Sequence, residues 1–297
     1  MKRHASSVKV RTVKSIGLVG LGLLGTALAE RLLARGWSVT GFDIDSARRE
    51  ALIRSGGTAI DVLSEIAAFD WILLSLPTSQ IVLEVVSTLD PHLHAGQTIV
   101  DTTTGNPSDA ESVAAKLAQR NVEYLDATIG GSSQQARDGE AIIMCGGNHE
   151  AFARCHDLFE DMARRRFHLG AAGSGSRMKL AVNLVLGLNR AVLAEGLAFA
   201  GKMGLNPDEA LDVLKAGPAR SHVMDTKGEK MLRADFEPQA RLAQHLKDVQ
   251  LILQTGLAAD AHLPLSQLHQ TLLDELIAAG KGELDNSVII EAFRHRH

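Results

Sequence analysis

The chain has 297 residues, 45% of them apolar, and a formal net charge of −4 at pH 7. Such a length buries a full core and suggests two domains more readily than one. The mild acidity gives no support to a nucleic-acid partner, and no segment reads as long and apolar enough to span a bilayer, so no membrane partner is expected. Two cysteines, Cys145 and Cys155, offer neither a disulfide framework nor metal-ligand spacing; no metal site and a cytoplasmic location are the plain expectations.

Residues 1–12 (with Lys2, Arg3, Lys9 and Arg11) read as a flexible basic tail. An apolar run follows, and Ala27-Leu28-Ala29 imitates a signal-peptidase site. A secretory signal is rejected because the run carries regularly placed glycines and continues as an amphipathic helix through Glu30, Arg31 and Arg35. Up to Val19 the pattern is that of a buried strand, whereas Leu23, Leu24, Ala27, Leu28 and Leu32 recur at helical spacing. Gly20-Leu21-Gly22-Leu23-Leu24-Gly25 is thus a G-x-G-x-x-G motif placed where a strand turns into a helix, the context of a dinucleotide-binding loop. Gly20 permits the turn, Gly22 lets the backbone approach a pyrophosphate, and Gly25 lets helix and strand pack closely. The helix N-terminus faces the phosphate charge. The next strand, Ser38 to Asp43, ends in an acidic residue about 20 positions on, where a ribose-binding carboxylate is expected. That carboxylate favours NAD and leaves NADP as a possible cofactor, since Arg48 and Arg49 stand close by.

A helix from Asp45 to Ser55 is capped by Asp45 or Ser46, and a short helix near Asp61–Ala67 leads into the apolar strand Trp71–Leu76. Leu76-Pro77 then lies at a strand C-terminus, the edge on which open α/β sheets bind ligands. After a helix at 80–89, the strand Thr98–Asp101 runs into Thr102-Thr103-Thr104 and a helix from Ser108. The hydroxyls serve either as β-branched strand residues or as part of a cofactor crevice. The strand Val122–Ala127 opens onto Thr128-Ile129-Gly130-Gly131-Ser132-Ser133, where paired glycines beside paired serines suit either anion binding or an ordinary turn. A strand at 141–145, a helix at 150–163 and a strand at 166–169 complete an alternation that implies a doubly wound, Rossmann-type sheet over 13–170. Arg164-Arg165-Arg166 reads as a solvated helix end.

Strand patterns stop at Gly170, and 171–297 reads as an all-α domain for substrate and oligomerisation. Its first helix, roughly Ser176–Met203, is apolar on nearly every face, which points to a homodimer or homotetramer. Lys179 and Asn183 share one face of it. From spacing alone Lys179 reads first as a surface or ion-paired lysine, and Lys247-Asp248 as a common surface pair.

Taken together, the motifs resemble the β-hydroxyacid dehydrogenase family of the 6-phosphogluconate dehydrogenase superfamily, which includes 3-hydroxyisobutyrate dehydrogenases and 2-hydroxy-3-oxopropionate reductases. The likeness rests on the glycine loop, Leu76-Pro77, Asp101 to Thr104 with Pro107, Asp126-Ala127 before Gly130-Gly131, Gly173-Ser174-Gly175 before Lys179 and Asn183, and Phe236-Glu237-Pro238 before Lys247-Asp248. It implies hydride transfer between NAD(P) and a small 3-hydroxy acid or its semialdehyde. Lys179 would be the catalytic lysine, Asn183 would orient it and the substrate, and Lys247 would reach the nicotinamide end. Leu76, Pro77 and Thr104 would line the cofactor, and residues 126–133, with Gly130, Gly131, Ser132 and Ser133, would hold the substrate carboxylate. One departure stands out: Gly130 occupies the place of the family's carboxylate-binding serine. An imine reductase on the same scaffold, or a catalytically silent dinucleotide-binding scaffold protein, is the alternative reading. The first is disfavoured because Lys179 is retained, the second because Lys179, Asn183 and Lys247 all are.

Overall fold

The computed structural model describes residues 14–294, and the N-terminal tail expected at 1–12 lies outside them. The chain divides into two units, one ending at Ser176 and the other beginning at Arg177.

In the first unit β1 (Ser15–Val19), α1 (Leu23–Ala34), β2 (Ser38–Phe42), α2 (Ser46–Arg54), β3 (Thr58–Ala59), β4 (Trp71–Leu74) and α3 (Ser79–Leu89) follow one another. Then come β5 (Thr98–Asp101), α4 (Pro107–Ala118), β6 (Glu123–Gly130), α5 (Ser133–Asp138), β7 (Ile142–Gly146), α6 (His149–Arg154), α7 (His156–Met162) and β8 (Arg165–His168). Among the described residues the strands form one sheet in the order β3-β2-β1-β4-β5-β6-β7-β8. All pairs are parallel except β6 with β7. Side-chain alternation divides the core between the two faces. Ile16, Leu18, Leu73, Val100 and Leu125 join one buried cluster, whereas Val19, Ile72, Leu74, Ile99 and Tyr124 join the other. The Rossmann-type sheet expected from the sequence is therefore present.

Several local expectations need correction. Strand β6 continues through Thr128, Ile129 and Gly130, because these residues pair antiparallel with Met144, Ile143 and Ile142. Only the last part of the expected loop is loop. The helix expected at 150–163 is two helices that meet at Cys155. Arg165 and Arg166 belong to β8, not to a helix end. As the last strand of the order, β8 carries charge where an edge needs protection from further pairing.

The second unit contains most of α8 (Ser174–Lys202), then α9 (Pro207–Ala216), α10 (His222–Arg233), α11 (Leu242–Ala258), α12 (Pro264–Ala278) and α13 (Glu291–Arg294). Its core gathers Leu193, Leu197, Leu211, Met231, Leu246, Leu273 and Ile289. Contrary to the sequence expectation, α8 is long and apolar enough by length and composition to cross a membrane, with a mean hydropathy of 1.4 over its most apolar stretch. Its charged residues are spaced widely enough to leave that stretch intact. Leu193, Ala194, Leu197 and Ala200 are nonetheless buried in the unit's core, as a core helix requires.

Candidate active site

The parallel strands end along one edge, and the chain order reverses between β1 and β4, the switch point at which such sheets bind ligands. The glycine loop lies there. Gly20 has φ +94°, and a Cβ on it would come within 2.2 Å of the Ser75 carbonyl oxygen. A Cβ on Gly25 would lie 1.9 Å from the Gly20 oxygen, so both positions exclude any side chain. A Cβ on Gly22 would meet only the Arg48 guanidinium, at 3.9 Å. Gly22 is the N-cap of α1 and supplies no side-chain cap, which leaves the first-turn N–H groups for an anion. Leu21 is buried and Leu23 exposed, with Leu24 between them packed on the core. These features fit a dinucleotide's pyrophosphate.

Asp43 follows β2 and is buried. Its Oδ2 accepts from the Leu21 N–H at 2.7 Å and its Oδ1 from the Asp45 N–H at 2.9 Å, so the carboxylate braces the glycine loop. Arg48 Nη1 approaches Oδ2 at 3.4 Å from an exposed position. Arg49 is committed elsewhere: it donates to the Asp43 carbonyl at 2.6 Å and pairs with Asp61 at 2.9 Å.

On the other side of the switch point the Leu76 N–H donates to Thr103 Oγ1 at 3.1 Å, and Thr102 Oγ1 donates to the Leu74 carbonyl at 2.7 Å. Those two threonines are structural, while Thr104 and Pro77 lie farther out, half-buried and exposed respectively. Behind them the Tyr124 hydroxyl donates to Asp101 Oδ2 at 2.6 Å and the Thr103 N–H donates to Oδ1 at 2.9 Å. Burial outweighs these bonds and pushes the Asp101 carboxyl up to about 6.

In the loop after β6, Ser132 is the N-cap of α5: its Oγ accepts from the Gln135 N–H at 3.2 Å, and its own N–H donates to Gln135 Oε1 at 2.9 Å. The Ser132 amide is thus spent, although its hydroxyl hydrogen can still be donated. Ser133 is half-buried beside it, and Gly131 has φ +145°. Gly130 has a packing reason, since a Cβ there would lie 2.7 Å from Ile142 Cγ1 and 3.3 Å from Met144 Cε. A serine cannot enter without moving Ile142. Asp126, buried one strand in, holds the start of α8 by accepting from the Gly173 N–H at 2.8 Å and the Ser176 N–H at 2.7 Å. Burial pushes its carboxyl up, and those N–H groups oppose the shift.

In the second unit Lys179 and Asn183 lie one turn apart on α8, and Lys247 and Asp248 are neighbours on α11. Asn183 Nδ2 donates to Asp248 Oδ2 at 3.0 Å, and Lys247 Nζ stands 3.6 Å from Asp248 Oδ1. Burial pushes Lys179 below the usual lysine range, and the Asp248 charge works against it. For Asp248 burial pushes the carboxyl up while Lys247 and Lys179 pull it down. Asp248 is therefore not half of a surface pair. Arg220 is exposed and contacts Asp225 at 3.3 Å.

Residues 15–170 match the family described as the NAD binding domain of 6-phosphogluconate dehydrogenase, and residues 173–293 match the NAD-binding family of NADP-dependent 3-hydroxyisobutyrate dehydrogenase. The chain belongs to the β-hydroxyacid dehydrogenase family. It is 31% identical over 281 residues to the 2-hydroxy-3-oxopropionate reductase of Escherichia coli (strain K12), with 93% of this chain and 96% of that protein covered. A structure of Mycobacterium tuberculosis 3-hydroxyisobutyrate dehydrogenase with L-serine superposes with a TM-score of 0.88 at 25% identity, covering 96% of this chain and 100% of that one. A structure described as Psf3 in complex with NADP+ and 2-OPP gives a TM-score of 0.85 at 25% identity, covering 93% and 99%.

This β-hydroxyacid dehydrogenase is thus an NAD(P)-binding oxidoreductase. Within each unit the residues expected from the sequence fall together. Gly20 to Gly25, Asp43 and Leu76 gather at one sheet edge, and Asn183 meets the Lys247-Asp248 pair. Asp248 escaped the sequence reading as a working part, and Asp126, expected to open the substrate-carboxylate segment 126–133, instead caps the start of α8. Their only signal was a place inside the motifs, and their partners lie 65 and 50 residues away, respectively.

Proposed function

We propose that this β-hydroxyacid dehydrogenase transfers a hydride between NAD(H), with NADP(H) as the weaker alternative, and a small 3-hydroxy acid or its semialdehyde, using Lys179 as general acid/base. The observation that carries the reading is Lys179 itself. It sits on the helix face of Asn183, and burial lowers the pKa of its ammonium group against the pull of Asp248. A lysine serves both directions of such a reaction when its pKa falls from about 10.4 toward neutrality.

When bound, the nicotinamide accepts or supplies the hydride. In reduction the carbonyl oxygen gains negative charge as the hydride arrives at carbon, and the Lys179 ammonium donates a proton to that oxygen. In oxidation neutral Lys179 takes the hydroxyl proton as the hydride leaves. Asn183 gives its Nδ2 to Asp248, so its Oδ1 remains as an acceptor for the lysine or for the substrate hydroxyl. The glycine loop and Asp43 bind the dinucleotide's pyrophosphate and ribose. Gly130, Gly131, Ser132 and Ser133 receive the substrate carboxylate, with the Ser132 hydroxyl and not its amide as the donor. Cys145 and Cys155 are buried thiols, Cys155 pushed up to about 12 by burial, so neither is a ready nucleophile; a cytoplasmic location is part of this reading.

The test is a spectrophotometric screen of NADH and NADPH against small semialdehydes and hydroxy acids, followed by Lys179→Ala on the best substrate. Loss of at least about 10²-fold in kcat is expected, with NADH binding unchanged within a few-fold. Normal turnover by the variant would reject Lys179 as the acid/base.

A further inference from the structure

Asn183 Nδ2 donates to Asp248 Oδ2 at 3.0 Å, and both side chains are buried. A carboxylate only accepts, so this bond fixes which way the Asn183 amide points: the NH₂ toward Asp248, the carbonyl oxygen away from it. The second oxygen, Asp248 Oδ1, is buried and accepts no hydrogen bond among the described residues; Lys247 Nζ stands 3.6 Å away. A carboxylate left half-satisfied in a buried setting is costly unless opposite charge compensates it. The groups facing it are Lys179 and Asn183 from α8 and Lys247 from α11. His245, one turn earlier on α11, is kept neutral by burial and contributes no charge.

We propose that Asp248 is a positioning residue for the Lys179 chemistry, doing two separable things: its Oδ2 locks the Asn183 amide, and its carboxylate supplies the negative charge of this buried cluster. This rests on the reading of Lys179 as the acid/base. The first task depends on the place of the oxygen, and the second on the charge. Substitutions can therefore divide them. Asp248→Asn removes the charge and turns one oxygen into an NH₂ group, whereas Asp248→Glu keeps the charge but moves the oxygens by one methylene.

The experiment measures kcat/KM against pH for the wild type, Asp248→Asn, Asp248→Glu and Lys179→Ala, with circular dichroism and NADH fluorescence titration confirming that each is folded and binds cofactor. In the reductive direction the protonated lysine is the active form, so activity falls as pH rises through its pKa. Asp248→Asn is expected to move that alkaline limb to lower pH by about one unit and to lower kcat at least about tenfold. Asp248→Glu should leave the limb in place and lower kcat at an unchanged unfolding midpoint; if Asp248→Asn does not fold, that loss of kcat at wild-type stability carries the test, and wild-type kcat in Asp248→Glu rejects the proposal. A structural residue would change stability and leave the limb where it was. If the limb disappears in Lys179→Ala but stays put in Asp248→Asn with wild-type kcat, the Asp248 proposal is wrong and the Lys179 reading stands. If Lys179→Ala keeps the limb, the reading beneath it has failed instead.

Discussion

The Ser176 N–H and the Asp126 carboxylate, 50 residues apart in sequence, are joined by a 2.7 Å hydrogen bond. With the 2.8 Å bond from Gly173, it lets a strand residue serve as the cap of the long helix α8, satisfying donors that no helix provides for itself. Glycines make the approach possible: a Cβ on Gly175 would lie 2.1 Å from the Asp126 carbonyl oxygen, and one on Gly146 would lie 2.5 Å from Asp126 Oδ1. Asp126→Asn replaces one accepting oxygen with an NH₂ group that faces another N–H. A loss of about 1–3 kcal/mol is expected from one unsatisfied buried donor, and Asp126→Ala should lose more. Urea unfolding of both variants checks this, and an unchanged midpoint for Asp126→Asn would show that the bonds do not hold the helix.

Cofactor preference follows from Asp43. Its carboxylate is fixed by Leu21 and Asp45 and cannot withdraw, so a 2′-phosphate would meet a negative charge. Arg48 lessens the repulsion from an exposed position, whereas Arg49 is tied to Asp61 and the Asp43 carbonyl. NADH is therefore expected to show the higher kcat/KM, with measurable use of NADPH. Arg48→Ala should weaken NADPH binding and leave NADH binding within a few-fold, as read by fluorescence titration. Preference for NADPH in the wild type would overturn the assignment to Asp43.

Two buried histidines make stability depend on pH. His245 and His269 pack with ring centroids 5.1 Å apart and planes tilted by 50°, and both Nε2 atoms lack partners among the described residues. Burial, with the Arg190 charge beside them, pushes His245 well below the usual range and His269 down to about 4. Both are neutral when folded. Below about pH 6.5 the unfolded chain gains protons that the folded one refuses, so this contribution is whole at pH 7 and shrinks as pH falls toward 4. For His269 the loss between pH 7 and pH 5 is about 2 kcal/mol. Asp101 works in the opposite sense, because its folded pKa of about 6 lies above the unfolded value and favours the folded state on acidification. The total slope therefore mixes signs, and the difference between His269→Leu and the wild type isolates the histidine. The variant should lose less stability from pH 7 to pH 5, and parallel curves would refute the assignment.

What the sequence made legible was local. Gly20 to Gly25 and Asp43 are readable because a turn that excludes side chains and an acid at the next strand's end are properties of short segments. Lys179 and Asn183 announced a shared face through their spacing, but chemistry for them came from resemblance. Asp248 was illegible because Lys-Asp occurs on many solvated helices, and its burial depends on packing against α8 in a distant part of the chain. Gly130 read as a missing serine, and the Ile142 and Met144 side chains across the β6–β7 pair explain it. The two-residue strand β3 has no pattern to detect, since Thr58 and Ala59 extend only through pairing with Thr40 and Gly41.

The expectation of an oligomer now has a defined surface. Met178, Val185, Val192 and Phe199 are exposed on α8 at intervals of seven residues, with Leu186 and Met203 beside them. The opposite side of the same helix, through Leu193, Ala194 and Leu197, is in the core. So the helix is not apolar all round for one reason: one side is core, and the other presents apolar residues every seven positions, which places them along one stripe of the helix. Gly196 and Gly201 have open space around them and allow close approach. We propose a second copy of this chain as the occupant. Light scattering should give a homodimer or homotetramer at micromolar concentration. Val192→Glu and Phe199→Glu, each placing a charge on the stripe, should shift the mass toward the monomer, while an exposed change off the stripe, Glu209→Gln, should not. A monomeric wild type would leave the apolar repeat without this role.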